Sequence, residues 1–141
     1  DAQLEAAYTY QARGAEKPVF YRIAMLGSKQ YPQFWGWGRI ANRVARSPKH
    51  TGVFHEARYN LALCRMEFAV SLKGNERAEQ LKRAKDDILI IRRLYPDMGG
   101  DEWAGKYNDL FKQIQKLLGE PSTGLPAPEE PKKEEPSGKT G

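Results

Sequence analysis

From Phe54 to Leu72 the chain carries two apolar series, and both have helical period. Ala57, Leu61, Cys64, Phe68 and Leu72 form one; Tyr59, Leu63, Met66 and Val70 form the other. A helix resting on a single surface shows one stripe, so two stripes predict a helix covered on two sides. Arg58, Asn60 and Arg65 supply its remaining polar edge. A helix in the middle of a stack of antiparallel helices has this pattern, whereas a helix lying on a sheet does not. Strict alternation of apolar and polar residues over a strand's length is almost absent.

Breakers on either side set out the other elements. A first helix is expected over Gln3 to Arg13, stopping before Gly14. Pro18 can open a second, because its missing N–H is harmless at the first helical position. That helix is read to about Tyr31, with Gly27 a weak point, and Pro32 separates it from a third over Phe34 to Arg46. After Lys73-Gly74-Asn75 a fifth runs from Arg77 to Tyr95, with Leu81, Ala84, Ile88, Ile91 and Tyr95 on one face and Glu79 placed to pair with Arg83. Asp101 is expected to cap the sixth, which would bury Trp103, Tyr107, Leu110, Ile114 and Leu117 and stop at Gly119. Short breaks between helices favour antiparallel neighbours. The fold expected is therefore an all-α stack of five or six antiparallel helices over residues 1–119.

Residues 120–141 hold one leucine and no aromatic ring, so they bury too little apolar surface to offset chain entropy and are read as a disordered tail. They carry five acids and three lysines, so the net +5 of the 141-residue chain leaves about +7 on the body. That charge is compatible with an acidic protein or a nucleic acid and demands neither. No apolar run approaches the ~18 residues of a membrane span, and no signal-peptide pattern is present. The chain begins at Asp1, which reads as a processed product or as part of a longer protein; the compartment stays open, with soluble export after signal removal one reading.

A chain of helix pairs invites a search for repeats. The tetratricopeptide pattern Trp-x2-Leu-Gly-x2-Tyr falls on Arg58, Leu61, Ala62 and Arg65, and its Ala-x3-Phe and Pro fall on Ala84, Ile88 and Pro96. Leu61, Ala84 and Pro96 match. Gly36, Ile40 and Pro48 share the spacing of the last three positions. From Phe54 to Leu118 the chain resembles the C-terminal repeats of bacterial tetratricopeptide proteins. The resemblance implies stacked helical hairpins offering a groove to a peptide or partner helix, a role in binding and not in chemistry. It also implies that the last helix, with Trp103 and Tyr107, caps the stack of a larger repeat protein.

The most unusual local composition is Phe34-Trp35-Gly36-Trp37-Gly38. It reads either as an aromatic wall with approachable backbone or as packing that lets two helices come close. Glycine costs about 1 kcal/mol in a helix interior, so two of them need one of these reasons. Trp35 and Trp37 cannot share a face, being two residues apart on a helix. Arg39, Arg43 and Arg46 lie at helical spacing, with Lys49 and His50 beyond; they form a solvated face or a basic stripe for an acidic partner or phosphates. The expected partner surface therefore joins Trp35 or Trp37 to Arg39, Arg43 and Arg46, with Arg58 and Arg65 as a second patch.

Chemistry is not legible. Cys64 sits on an apolar stripe, more than two turns from His55, and reads as a small hydrophobe. There is no Cys-x-x-Cys, His-x-x-x-His or glycine-rich phosphate loop, and no cofactor is expected. Asp86-Asp87 and Asp101-Glu102 are adjacent pairs, which diverge on a helix. The function expected is a non-catalytic protein-interaction or assembly module. A nucleic-acid binder using the basic body and a small-ligand carrier using the Trp/Gly segment are the alternatives.

Overall fold

The computed structural model describes residues 1–128. Six α-helices follow one another and the described residues contain no strand: α1 Ala2–Arg13, α2 Val19–Leu26, α3 Gly36–Val44, α4 Thr51–Val70, α5 Gly74–Leu94 and α6 Asp101–Leu118. A single 3-10 turn, Pro48–His50, leads into α4. None of these helices is long and apolar enough to cross a membrane.

The helix of two stripes is the centre of the molecule. α4 packs against α2, α3, α5 and α6. Ala57, Leu61 and Cys64 of the first stripe are buried, as is Met66 of the second. The first stripe faces α3, with the Cys64 thiol beside Trp37. The second reaches α6, where Tyr59 lies 6.1 Å from both the Trp103 and Tyr107 rings. Val70, at the last turn of α4, is 44% exposed, because packing fades at the helix end. Every extensively packed pair of helices consists of first or second neighbours in chain order. Three residues join α4 to α5, so the two must fold back as an antiparallel hairpin.

α2 and α3 are shorter than the sequence predicts. α2 ends at Leu26 because Gly27 turns the backbone to φ +80°. α3 begins only at Gly36, also at φ +80°. The nine residues from Gly27 to Trp35 thus form a loop where a helical segment to Tyr31 was expected. α6 starts on Gly100, with Asp101 as its first helical residue and no side-chain cap. There Asp101 and Glu102 favour the positive end of the helix dipole. Leu117 remains 36% exposed, and Phe111 and Gln115 take the buried positions instead.

Gly119 closes α6 in the left-handed conformation, as its position after the last periodic residue predicts. The chain beyond it is more structured than its composition suggests. The Glu120 carboxylate pairs with Lys85 Nζ at 2.7 Å. Gly124 N donates to Gln115 Oε1 at 2.8 Å, Leu125 N donates to Asn108 Oδ1 at 2.9 Å, and Arg92 donates to the Pro126 carbonyl. Leu125 packs on the core. Residues 120–126 are therefore a strap across α5 and α6, which corrects the expected start of the tail. The expectation of disorder for 129–141 falls outside the described residues.

Candidate interaction surface

Gly36 opens α3 because its backbone runs against the end of α2. A Cβ there would lie 2.5 Å from Gly27 N and 2.8 Å from the Met25 carbonyl oxygen. The two indoles that flank it differ in burial. Trp37 points inward and is fully buried; its Nε1 donates to Gln11 Oε1 at 2.9 Å, and its ring meets Tyr8 edge-on at 4.8 Å. Gln11 in turn donates to Asn60 Oδ1, and Asn60 donates to the Tyr8 hydroxyl and the Glu56 carbonyl. Tyr8 closes the network by donating to Glu56 Oε2 at 2.6 Å. Burial, reinforced by the Glu56 carboxylate, pushes the Tyr8 phenol up to about 12. The network joins α1, α3 and α4. Of its members, sequence reasoning named Trp37 as a site residue and placed Asn60 on the polar edge of the fourth helix, and the apolar spacing carries no signal for Gln11 or Tyr8.

Trp35 is half-buried, packed against the edge of the core. Its amide is fixed by Gln3 Oε1 at 3.0 Å. The guanidinium carbons of Arg39 and Arg43 lie 5.4 Å and 4.7 Å from the centre of its ring. Their spacing on α3 is what brings both over one ring. Arg46 is exposed in the turn beyond Val44, without a ring beneath it. Among the described residues, none of these three arginines has a carboxylate within ion-pair distance. Of the expected wall of two indoles, one ring remains at the surface, and it carries a paired cationic cover.

The second expected patch is occupied by the fold itself. Arg65 Nε pairs with Asp87 Oδ2 at 2.8 Å, both side chains being 16% exposed. Arg58 Nη2 donates to the Asp87 carbonyl at 3.2 Å, and its Nε is buried without a partner. Both arginines thus tie α4 to α5.

The remaining polar groups of interest are structural neighbours. Burial pushes the Cys64 thiol up to about 12, which disfavours the thiolate a nucleophile needs. His55 is buried among Phe54, Tyr95, Trp103 and Tyr107, with Nδ1 sharing a hydrogen bond of 2.9 Å with the Tyr107 hydroxyl. Among the described residues no group of three His, Cys, Asp or Glu side chains could hold a metal ion.

No family model, curated protein or solved structure matches the chain.

Proposed function

We propose that this chain is a non-catalytic protein-interaction module that meets an acidic partner through Trp35, Arg39 and Arg43, with Arg46 at the edge. The observation that carries the reading is the pair of guanidinium groups over the half-buried Trp35 ring, with no carboxylate among the described residues within ion-pair distance of them. Tryptophan and arginine are the residue types most enriched among binding hot spots. A guanidinium stacked on an indole is held in orientation while its N–H edges stay free for a carboxylate. Little side-chain entropy is then left to lose on binding.

The tetratricopeptide-like reading belongs with this. Packing limited to first and second neighbours is the contact pattern of a stacked-hairpin array. On this reading α2 and α3 form one hairpin, α4 and α5 the next, and α6 opens a third. Leu61, Ala62 and Ala84, the pattern's small and apolar positions, are all buried. The module would then serve as a scaffold in a bacterial repeat protein, with the α6 end as its terminus.

A second reading rests on the same arginines. Three arginines without an ion-pair partner among the described residues, two of them over a tryptophan, also suit phosphates and stacked bases, so a nucleic acid is the alternative partner. Affinity capture with the full chain, with and without nuclease, separates the two. A discrete protein that survives nuclease and is lost with Arg39→Glu/Arg43→Glu supports the proposal. Capture that vanishes with nuclease transfers the function to nucleic-acid binding.

A further inference from the structure

The C-terminal half of α4 is the floor of a second, separate groove. α2 forms one wall and the first turns of α5 the other; both pack on α4 and scarcely on each other. The space between them is about 410 Å³. Arg22 and Leu26 line it from α2, Phe68 from α4, Leu72 from the turn that follows, and Glu76 and Gln80 from α5. Leu26 is the last residue of α2, where Gly27 turns the chain away, and 63% of it is exposed. Phe68 and Leu72 beside it are only partly covered. An apolar strip rimmed by charged side chains is the ordinary anatomy of a protein contact.

The charges on the rim decide what fits. Two of the groove's arginines are taken up within the chain: Arg83 pairs with Glu79 at 3.1 Å along α5, and Arg65 pairs with Asp87 at 2.8 Å. Arg22 and Glu76 are both exposed, and neither has an ion-pair partner among the described residues. The Arg22 guanidinium carbon lies 5.8 Å from the centre of the Phe68 ring, which leaves its N–H edges for a carboxylate. The α2 wall thus offers a cation and the α5 wall an anion, on either side of an apolar strip.

A patch of that layout is complementary to itself. A two-fold axis running along the groove lays the α2 wall of each copy on the α5 wall of the other. Arg22 of each then meets Glu76 of the other, and the apolar strips face one another with Leu26 between them. Isologous contacts require this kind of self-complementarity. A uniformly acidic or basic partner would satisfy one wall and be repelled by the other. We propose that this groove is the interface of a homodimer of the chain, closed by two Arg22–Glu76 pairs over Leu26, Phe68 and Leu72.

Sedimentation velocity of the full chain at rising concentration tests this, and a monomer–dimer equilibrium is expected. Arg22→Glu and Glu76→Arg each set like charges against one another in their own dimer, so each should weaken dimerisation about tenfold or more. Mixed in equal amounts, the two variants should dimerise with one another, because the heterodimer pairs two acids of one chain with two arginines of the other. No contact within a single chain produces that rescue. Leu26→Glu in both variants should abolish it. Arg22, Leu26 and Glu76 are exposed, and circular dichroism verifies that each variant keeps its helices. A wild-type chain that stays monomeric at every concentration, a dimer that the charge reversals leave unchanged, or variants that fail to dimerise on mixing overturns the assignment.

Discussion

Two glycines two residues apart have different jobs, and substitution separates them. Gly36 has φ +80° and a Cβ on it would lie 2.5 Å from Gly27 N, whereas a Cβ on Gly38 would meet only the Met25 carbonyl at an ordinary 3.4 Å. Gly36→Ala is expected to cost about 2–4 kcal/mol, since the left-handed conformation and the backbone contact both oppose it. Gly38→Ala is expected to be neutral or to stabilise by up to about 1 kcal/mol through helix propensity. Urea unfolding of the two variants checks this; equal effects would contradict the packing account. Trp37→Phe removes the donor to Gln11 and should cost about 1–3 kcal/mol in the same assay. His55 supplies a pH dependence. Burial holds its imidazole below the ordinary 6.5, against a smaller opposing pull from Asp97. The folded state therefore binds the proton less readily than the unfolded chain, so the stability due to neutral His55 is full above pH 6.5 and declines as pH falls below it. Urea midpoints at pH 7.5 and 5.5 should drop more for the wild-type chain than for His55→Gln. An equal drop would remove His55 from the account.

At the scale of elements, the long helices were legible and the short ones less so. The stripes of α4 and the face Leu81, Ala84, Ile88 and Ile91 of α5 recur over enough turns to be read from spacing, and all four of those α5 residues are buried. The bounds of α2 and α3 depend on Gly27 and Gly36, where a tertiary backbone contact decides the conformation. Nothing local distinguishes Gly36 from Gly38. The strap was missed for a related reason: composition measures how much apolar surface a segment has, and residues 120–126 are held chiefly by Gln115, Asn108, Lys85 and Arg92 from α5 and α6. Gly124 has φ +84°, and a Cβ on it would lie 2.6 Å from Asn108 Oδ1. Gly124→Ala is expected to cost about 1–3 kcal/mol and to release the strap. Hydrogen exchange reads this directly: the amides of Gly124 and Leu125 should be protected in the wild-type chain and exchange freely in the variant. Free exchange in both would mean that the strap contributes no stability.

For the whole molecule, the stack explains why one face is left for a partner. α4 is enclosed by its neighbours, the α4–α5 seam consumes Arg58 and Arg65 through Asp87, and the strap covers part of α5 and α6. α3 keeps its outer side uncovered, with Arg39 and Arg43 on it. The candidate surface was half legible in sequence. Helical spacing put Arg39 and Arg43 together and set Trp35 and Trp37 on opposite sides, but spacing does not say which indole is buried, because that depends on the Gln11 side chain of α1. Nor does it separate the arginines of α3, which have no ion-pair partner among the described residues, from Arg58 and Arg65 of α4, which bond to the carbonyl and the carboxylate of Asp87, 29 and 22 residues further on. The central claim is that Trp35, Arg39 and Arg43 bind an acidic protein. Its most direct test is the affinity of the partner recovered by capture, measured for the wild-type chain, for Arg39→Glu/Arg43→Glu, and for Lys116→Glu on α6 as a control of equal sign. The account predicts a loss of tenfold or more for the α3 pair, with helix content unchanged and the control near wild type. Equal affinity of all three would contradict it and move the interaction to another face of the stack.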